Sequence, residues 1–247
     1  MFKAIILAAG KGSRMKSDLP KVLHTINDKT LVQYVVDAVS KSEVSKIFVI
    51  VGDINGEVVK SVKGNVTFIE QKETLGTGHA VMQAEQYIED TDDVIVLTGD
   101  TPLITATTID CIKEINDETW NAVTILTAKI DDPKAYGRIL RDAEHQIIGI
   151  VEKKDATEQQ LAIKEINSGI YCFQGKALKD ALKLIENNNN QKEYYLTDTI
   201  KIINDKGLGV GGCVLEDYTE VLGINTQEEL ENAKRIVANN LIGGKEV

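Results

Sequence analysis

The sequence predicts an α/β fold with a mainly parallel sheet covered by helices on both faces. Short apolar runs typical of buried strands alternate with longer segments whose apolar residues recur at helical spacing. Strands that alternate with helices pair in parallel, because each helix carries the chain back across a face of the sheet. The 247 residues suffice for one large core, and no repeat or linker divides them.

The first half of the chain shows this alternation most regularly. Apolar runs predict strands, and helical spacing, such as that of Leu31, Val35 and Val39, predicts helices. The predicted strands are 4–7, 46–51, 66–70 and 94–98, and the predicted helices are 31–42, 54–62, 77–88 and 105–116.

The second half is less regular but continues the same architecture. Its predicted elements are a strand at 121–129, a hairpin of 138–140 with 147–151, a strand at 166–173, helices at 176–186 and 197–204, a strand at 209–215 and a last helix at 226–241. We expect a single domain over residues 1–241, followed by a tail at 242–247.

Composition excludes several classes of function. A net charge of −10 disfavours nucleic acid and anionic membranes as partners, since both reward a basic surface. No run approaches the ~20 apolar residues of a membrane span, and the first strand leaves no room for a signal peptide, so we expect a cytoplasmic protein. Cys111, Cys172 and Cys213 lack metal-ligand spacing and are expected to be buried, reduced thiols.

A glycine-containing loop follows the first predicted strand at residues 7–15 (LAAGKGSRM). It matches neither the dinucleotide fingerprint, which needs a third glycine where Met15 stands, nor the P-loop. A solvated turn is the alternative interpretation. Its position after a strand instead favours a phosphate-binding loop, with Lys11, Arg14 and Lys21 adding positive charge.

Together with further motifs, this loop resembles nucleotide-sugar pyrophosphorylases. The motifs are residues 7–15, 20–24 (PKVLH), Gln71, 75–80 (LGTGHA), 99–103 (GDTPL), 136–139 (YGRI), 150–156 (IVEKKDA), 167–171 (NSGIY), 193–198 (EYYLTD) and 223–225 (GIN). In this order they look like the uridylyltransferase domain of the bacterial bifunctional N-acetylglucosamine-1-phosphate uridylyltransferase and glucosamine-1-phosphate acetyltransferase. The resemblance covers about residues 1–240.

The resemblance implies a Rossmann-like sheet of the nucleotide-diphospho-sugar transferase fold and Mg²⁺-dependent uridylyl transfer. UTP and N-acetyl-α-D-glucosamine 1-phosphate would give UDP-N-acetylglucosamine, a precursor for peptidoglycan and the cell wall, with pyrophosphate. The left-handed β-helix of the acetyltransferase is absent, so we expect either a truncated bifunctional enzyme or a single-function relative. The oligomeric state is left open, a monomer included.

The resemblance also assigns roles to individual residues. Arg14 near the pyrophosphate and Lys21 at the α-phosphate would be catalytic, and Asp100 with Asn225 would hold the metal. The implied uridine and phosphate contacts are Leu7, Ala8, Ala9, Gly10, Gly12, Lys21, Gln71, Gly76, Thr77, Gly99 and Asn225. The implied sugar pocket is Gly137, Glu152, Asn167, Tyr195 and Thr197.

Alternatives stay open at each level. Lys21 also fits an ordinary surface lysine, Asp100 a turn residue, and Glu152 a solvated acidic patch with Asp155. The chain also fits another sugar-1-phosphate nucleotidyltransferase, or a catalytically silent protein that binds nucleotide sugars. We assign no role to His24, His79 and His145.

Overall fold

A computed structural model of the chain describes residues 1–10, 12–15 and 17–242. The strands in this part of the chain are β1 (Phe2–Leu7), β2 (Thr25–Ile26), β3 (Lys29–Thr30), β4 (Lys46–Val51), β5 (Val66–Glu70), β6 (Asp93–Thr98), β7 (Val123–Lys129), β8 (Arg138–Arg141), β9 (Ile147–Val151), β10 (Glu165–Gln174) and β11 (Val210–Leu215). The helices are α1 (Leu31–Lys41), α2 (Glu57–Ser61), α3 (Thr77–Met82), α4 (Ala106–Glu118), α5 (Glu158–Leu161), α6 (Gly175–Leu182), α7 (Asp198–Asp205) and α8 (Gln227–Ile242).

The central sheet has the strand order β11-β7-β10-β6-β1-β4-β5. β1 pairs in parallel with β4 and β6, as does β4 with β5 and β11 with β7. β10 is antiparallel to both β6 and β7, and β8 and β9 form a hairpin attached to β10. The predicted α/β class with a mostly parallel sheet is therefore confirmed.

Successive side chains of a strand point to opposite faces of the sheet, so each face has its own apolar core. In β1, Ile5 points to one face, while Ala4 and Ile6 point to the other. The first face packs against α3, α6 and α7, and the second packs against α1 and α4. Because both faces are covered, the central strands consist almost entirely of apolar residues.

A third apolar cluster packs the last helix against segments that lie beyond the carboxyl ends of the strands. Leu230, Ala233 and Val237 of α8 pack with Ile26 of the small β2–β3 hairpin and with Met15 of the glycine-containing loop. Ile224, just before α8, belongs to the same cluster. This packing brings the end of the described chain next to its beginning.

Most predicted elements are present, with differences at helix ends. The helix expected at 54–62 spans only Glu57–Ser61, because a turn in which Gly56 N donates to Asp53 O occupies the preceding residues. The helix expected at 77–88 ends at Met82, where Gln83 and Ala84 donate to carbonyls three residues back and tighten the chain. The β2–β3 hairpin and α5 were not predicted.

The cysteine prediction is only partly correct. Cys172 is buried as expected, whereas Cys111 is exposed and Cys213 is partly exposed. Burial raises the pKa of the Cys213 thiol to about 11, and the adjacent Cys111 contributes to the same shift. Among the described residues, no helix has both the length and the apolar character needed to cross a lipid bilayer.

Candidate active site

The carboxyl ends of β1, β4, β5 and β6 lie side by side and form the carboxyl edge of the sheet. Several predicted site residues follow these strands. Ala8 N donates to Ile50 O at 2.8 Å, and Gly99 N donates to Leu7 O at 2.9 Å, so the parallel pairing continues past the strand ends. A Cβ atom at Gly99 would lie 3.1 Å from Leu7 O. The absence of a side chain there lets the two chain segments approach closely.

The glycine-containing loop leaves this edge and turns over it. Gly12 has φ +66°, and a Cβ atom there would collide with Lys21 Cβ, so glycine allows the loop to lie against Lys21. A Cβ atom at Gly10 would meet nothing within 4 Å, which leaves open space beside Ala9 and Gly10. Lys11 lies outside the described residues.

Lys21 is the centre of a polar cluster at this edge. Its Nζ donates to Asp100 Oδ2 and, at 3.0 Å, to Asn225 Oδ1. The exposed Arg14 donates to the same Asn225 oxygen at 2.8 Å. The side chains of Lys21 and Asp100 are only 18% and 10% exposed, so this ion pair is largely shielded from water. The structure thus brings together both predicted catalytic residues and both predicted metal ligands.

Backbone contacts fix the segment that carries Asn225. Ile224 N donates to Asp100 O at 2.9 Å, and Gly223 N donates to the Tyr136 hydroxyl oxygen at 2.9 Å. Glu229 Oε2 accepts hydrogen bonds from Asn225 N at 2.7 Å and from Thr226 N at 3.1 Å. Asn225 is therefore held from three sides before any ligand is present.

Gln71, Gly76 and Thr77 lie together beyond the end of β5. The buried Gln71 side chain donates from Nε2 to Gly76 O at 3.2 Å. Gly76 has φ +115°, and a Cβ atom there would lie 2.8 Å from Tyr194 N, so only glycine fits this turn. Thr77 Oγ1 accepts from Leu196 N at 3.0 Å, which ties this loop to the segment before α7.

The predicted sugar-pocket residues lie near β8, β9 and β10 and in the segment before α7. Asn167 N donates to Gly137 O at 3.0 Å, and Asn167 Nδ2 donates to the Tyr171 hydroxyl oxygen at 2.7 Å. The Thr197 hydroxyl donates to Glu152 Oε1 at 3.3 Å. Desolvation raises the pKa of Glu152, and the Thr197 hydrogen bond opposes that shift.

The hydroxyl of Tyr195, another predicted pocket residue, makes two hydrogen bonds to side chains. Its hydroxyl donates to Asp155 Oδ2 at 3.3 Å and accepts from Gln191 Nε2 at 2.8 Å. Burial raises the pKa of Tyr195 to about 12, so the hydroxyl is neutral near pH 7. The Tyr195 hydroxyl therefore connects the segment before α7 to the loop that carries Asp155, three residues after Glu152.

A sequence comparison decides the family. The model of the nucleotidyl transferase family matches residues 3–219, which is most of the chain and includes all of these groups except those in the segment of residues 223–229 that carries Asn225. The chain belongs to the nucleotidyl transferase family. The expected enzyme class is thereby confirmed.

Individual members of the family and their relatives agree with this assignment. The chain is 47% identical over 240 residues to the "Bifunctional protein GlmU" of Clostridioides difficile, and the match covers 97% of this chain and 52% of the relative. It is 48% identical over 239 residues to the protein of the same name from Alkaliphilus oremlandii, with the same two coverages. The chain therefore spans about half the length of the curated relatives it matches, and the expected resemblance is confirmed.

A solved structure shares the fold at low sequence identity. It is a Bacillus anthracis protein described as a candidate glucose-1-phosphate thymidylyltransferase, crystallised with sucrose. The two chains superpose with a TM-score of 0.73 at 20% identity, and the match covers 96% of this chain and 95% of the other. This similarity supports the nucleotidyltransferase fold.

Three residues of this nucleotidyltransferase support the site without having been predicted. Tyr136 and Glu229 hold the segment of Asn225, and His79 Nδ1 lies 3.0 Å from Gln71 Nε2. The sequence could have indicated Glu229, because Thr226 and Glu229 have the Thr-x-x-Glu spacing of a helix capping box. In the structure Thr226 Oγ1 accepts from Glu229 N at 3.2 Å, and Glu229 Oε2 accepts from Thr226 N, which completes the reciprocal pair. No local signal indicates the partners of Tyr136 and His79.

Proposed function

We propose that the chain transfers the uridylyl group of UTP to N-acetyl-α-D-glucosamine 1-phosphate, giving UDP-N-acetylglucosamine and pyrophosphate. The observation that carries the proposal is the convergence of Lys21, Asp100 and Asn225 at the sheet edge from which the glycine-containing loop departs. The relatives named GlmU support the choice of this reaction among those of the family. The product would supply cell-wall synthesis in the cytoplasm.

The reaction requires positioning and charge neutralisation more than covalent help. An oxygen of the sugar phosphate attacks the α-phosphorus of UTP, and the bond from that phosphorus to the bridging oxygen breaks as pyrophosphate leaves. The attacking oxygen is already ionised, so no general base is needed. The residues that matter are therefore cations and backbone N–H groups around the phosphates.

The loop and its neighbouring cations supply these groups. The space beside Gly10 admits a phosphate to the backbone, and Arg14 stands at the exposed end of the cluster, where pyrophosphate can depart. Lys21 is largely shielded from water, so its charge acts strongly on the α-phosphate. On this proposal, Lys21 exchanges part of its contact with Asp100 for a phosphate oxygen when UTP binds.

Asp100 and Asn225 fit Mg²⁺ as the cofactor. Their side-chain oxygens both contact the Lys21 ammonium group, so a positive charge already lies where they converge. In the part of the chain that the structure describes, no group of three or more His, Cys, Asp or Glu side chains is arranged to hold a metal ion. One carboxylate and one amide suit Mg²⁺ that takes its other ligands from phosphates and water, and the bound ion would neutralise phosphate charge.

The sugar would be recognised by the groups between β8, β9 and β10. Glu152 offers a carboxylate to sugar hydroxyls, and Asn167 has one amide hydrogen beyond the one donated to Tyr171. A Cβ atom at Gly137 would lie 3.2 Å from Ile150 Cγ2, so glycine lets this segment pack closely against β9. These groups together favour a sugar with both hydroxyl and amide functions.

A panel of nucleotides and sugar phosphates tests the proposal. UTP, CTP, TTP and ATP are each combined with several sugar 1-phosphates, and released pyrophosphate is measured. We expect the highest kcat/KM for UTP with N-acetylglucosamine 1-phosphate. A different best pair would assign another sugar nucleotidyltransferase, and binding without pyrophosphate release would indicate a silent nucleotide-sugar sensor.

A further inference from the structure

The side-chain amide of Gln71 is held in one orientation. Gly76 O is a main-chain carbonyl and only accepts hydrogen bonds, so the group that faces it at 3.2 Å must be the NH₂ of Gln71. The second hydrogen of this NH₂ points to His79 Nδ1 at 3.0 Å. Both donors are thereby used, and among the described residues nothing donates to Gln71 Oε1.

This arrangement requires a particular tautomer of His79. Nδ1 must accept the hydrogen bond from Gln71, so the ring proton of neutral His79 sits on Nε2. Gln83 Nε2 lies 3.3 Å from His79 Nε2, but it donates to the main-chain oxygen of His79 at 2.9 Å. In this tautomer His79 Nε2 and Gln83 Nε2 are both donors, so the contact between them adds no hydrogen bond.

The opposite arrangement is less favourable. If Nδ1 carried the proton, Gln71 would have to turn its amide by 180° so that Oε1 accepted from Nδ1. Oε1 would then face Gly76 O at the 3.2 Å contact, where two acceptors repel each other. The bond to Gly76 O at 3.2 Å would be lost, and the bond gained, between Gln83 and His79 Nε2, would be longer at 3.3 Å.

We propose that His79 is a positioning residue that sets base specificity by holding Gln71 with its carbonyl oxygen free for the base. The inference rests on the proposed function and on the contact between Gln71 and the uracil of UTP that the resemblance implies. Uracil presents an N3–H donor, which Oε1 accepts. Cytosine presents an unprotonated N3 at the same place, and the two lone pairs repel.

Substitutions at His79 test this directly. His79→Phe keeps a ring but removes the acceptor, so Gln71 can turn over and present its NH₂ to cytosine. His79→Asn restores an acceptor oxygen two bonds from Cβ, where Nδ1 stands in histidine. Gln83→Ala is the matched control, because Gln83 contacts the other side of the same ring.

The readout is the binding of UTP and CTP with Mg²⁺, measured by calorimetry without sugar phosphate. Wild type should prefer UTP, and His79→Phe should lower the UTP-to-CTP affinity ratio about tenfold to a hundredfold, the scale of one buried unpaired group. His79→Asn and Gln83→Ala should keep most of the preference. Long-range ¹H–¹⁵N NMR of wild type should show the neutral ring protonated on Nε2.

Several results would overturn the inference. They are equal affinities of wild type for the two nucleotides, an unchanged ratio in folded His79→Phe, and a neutral ring protonated on Nδ1. The NMR result needs no substitution, so it decides even if His79→Phe does not fold. Failure of the proposed function looks different, since UTP preference without pyrophosphate release would leave His79 in its role and remove only the reaction.

Discussion

Lys21 Nζ lies 3.0 Å from Asn225 Oδ1 and also binds Asp100, so one ammonium group joins residues from the beginning, middle and end of the described chain. The same pair of oxygens is what Mg²⁺ would require. In the proposed reaction, Lys21 and Mg²⁺ would share these two oxygens, and both cations would act on one group of phosphate oxygens.

We expect Lys21→Ala to lower kcat by about two orders of magnitude or more. This is the scale observed when one preorganised donor to a transition state is removed. The KM values should change less, because Lys21 acts on charge that develops during transfer. Lys29→Ala is the control, since Lys29 is more exposed and pairs with Asp37 away from the cluster. Near-normal kcat in Lys21→Ala would remove Lys21 from the α-phosphate.

Asp100→Asn and Asn225→Ala should both reduce turnover strongly but respond differently to Mg²⁺. Asn225→Ala loses a neutral ligand, so raising the Mg²⁺ concentration should restore part of its activity. Asp100→Asn loses the charge that attracts the ion and should recover less. The measurement is a Mg²⁺ titration with both substrates saturating, and a variant whose Mg²⁺ dependence matched wild type would not carry a metal ligand.

Tyr136→Phe should raise the Mg²⁺ concentration needed for half-maximal activity by a few-fold while maximal kcat stays near that of wild type. The change leaves the buried Gly223 N–H without its acceptor, and an unpaired buried group costs about 1–3 kcal/mol. The segment that carries Asn225 would then be less well fixed.

The effect of Tyr136→Phe should also be independent of pH near neutrality. Burial raises the pKa of Tyr136 to about 12, so its hydroxyl stays protonated in the assay. Tyr218→Phe is the control, because Tyr218 is exposed and lines the same cavity of about 890 Å³ as Tyr136. Equal Mg²⁺ dependence in the two variants would contradict a role for Tyr136 in fixing Asn225.

Sequence patterns identified the parts of the site that depend on local structure. An apolar run that ends in Gly99-Asp100 places a carboxylate at a strand end, and the sheet edge follows from the alternation of strands and helices. The resemblance assigned Asn225 to the metal with Asp100, and the apolar segments before the two residues, VLGI and VIVLTG, were consistent with a shared side of the sheet. Nothing periodic in the sequence indicates that contact.

Contacts between distant segments explain the remaining differences. β10 enters the sheet antiparallel between β6 and β7, an orientation that no pattern in its own residues indicates. Tyr136 and Gly223 are 87 residues apart, and the orientation of Gln71 depends on a histidine on the next helix. Such contacts are set by tertiary packing, so local propensity and spacing carry no information about them.

Glu152→Ala should raise the KM for the sugar phosphate about tenfold to a hundredfold and leave the KM for UTP within about threefold. A site built to pair with sugar hydroxyls loses affinity when its acceptor is removed. Glu144→Ala, an exposed change in the turn between β8 and β9, is the control. Equal increases in both KM values would show that Glu152 supports the fold instead of selecting the sugar.

The ionisation of Glu152 should make sugar binding and stability depend on pH in opposite senses. Desolvation raises its pKa, so protonation begins at a higher pH than for an ordinary glutamate. As the pH falls from neutral towards that raised pKa, the carboxylate loses its charge, and the KM for the sugar phosphate should rise.

For stability, the folded state binds this proton more tightly than the unfolded state, so the contribution is favourable at low pH and is lost as the pH rises through the folded pKa. Glu152→Gln should therefore melt at a higher temperature than wild type at neutral pH, with the difference shrinking in acid. A melting-temperature difference that began to shrink only in the ordinary titration range of a glutamate would show that the pKa of Glu152 is not raised.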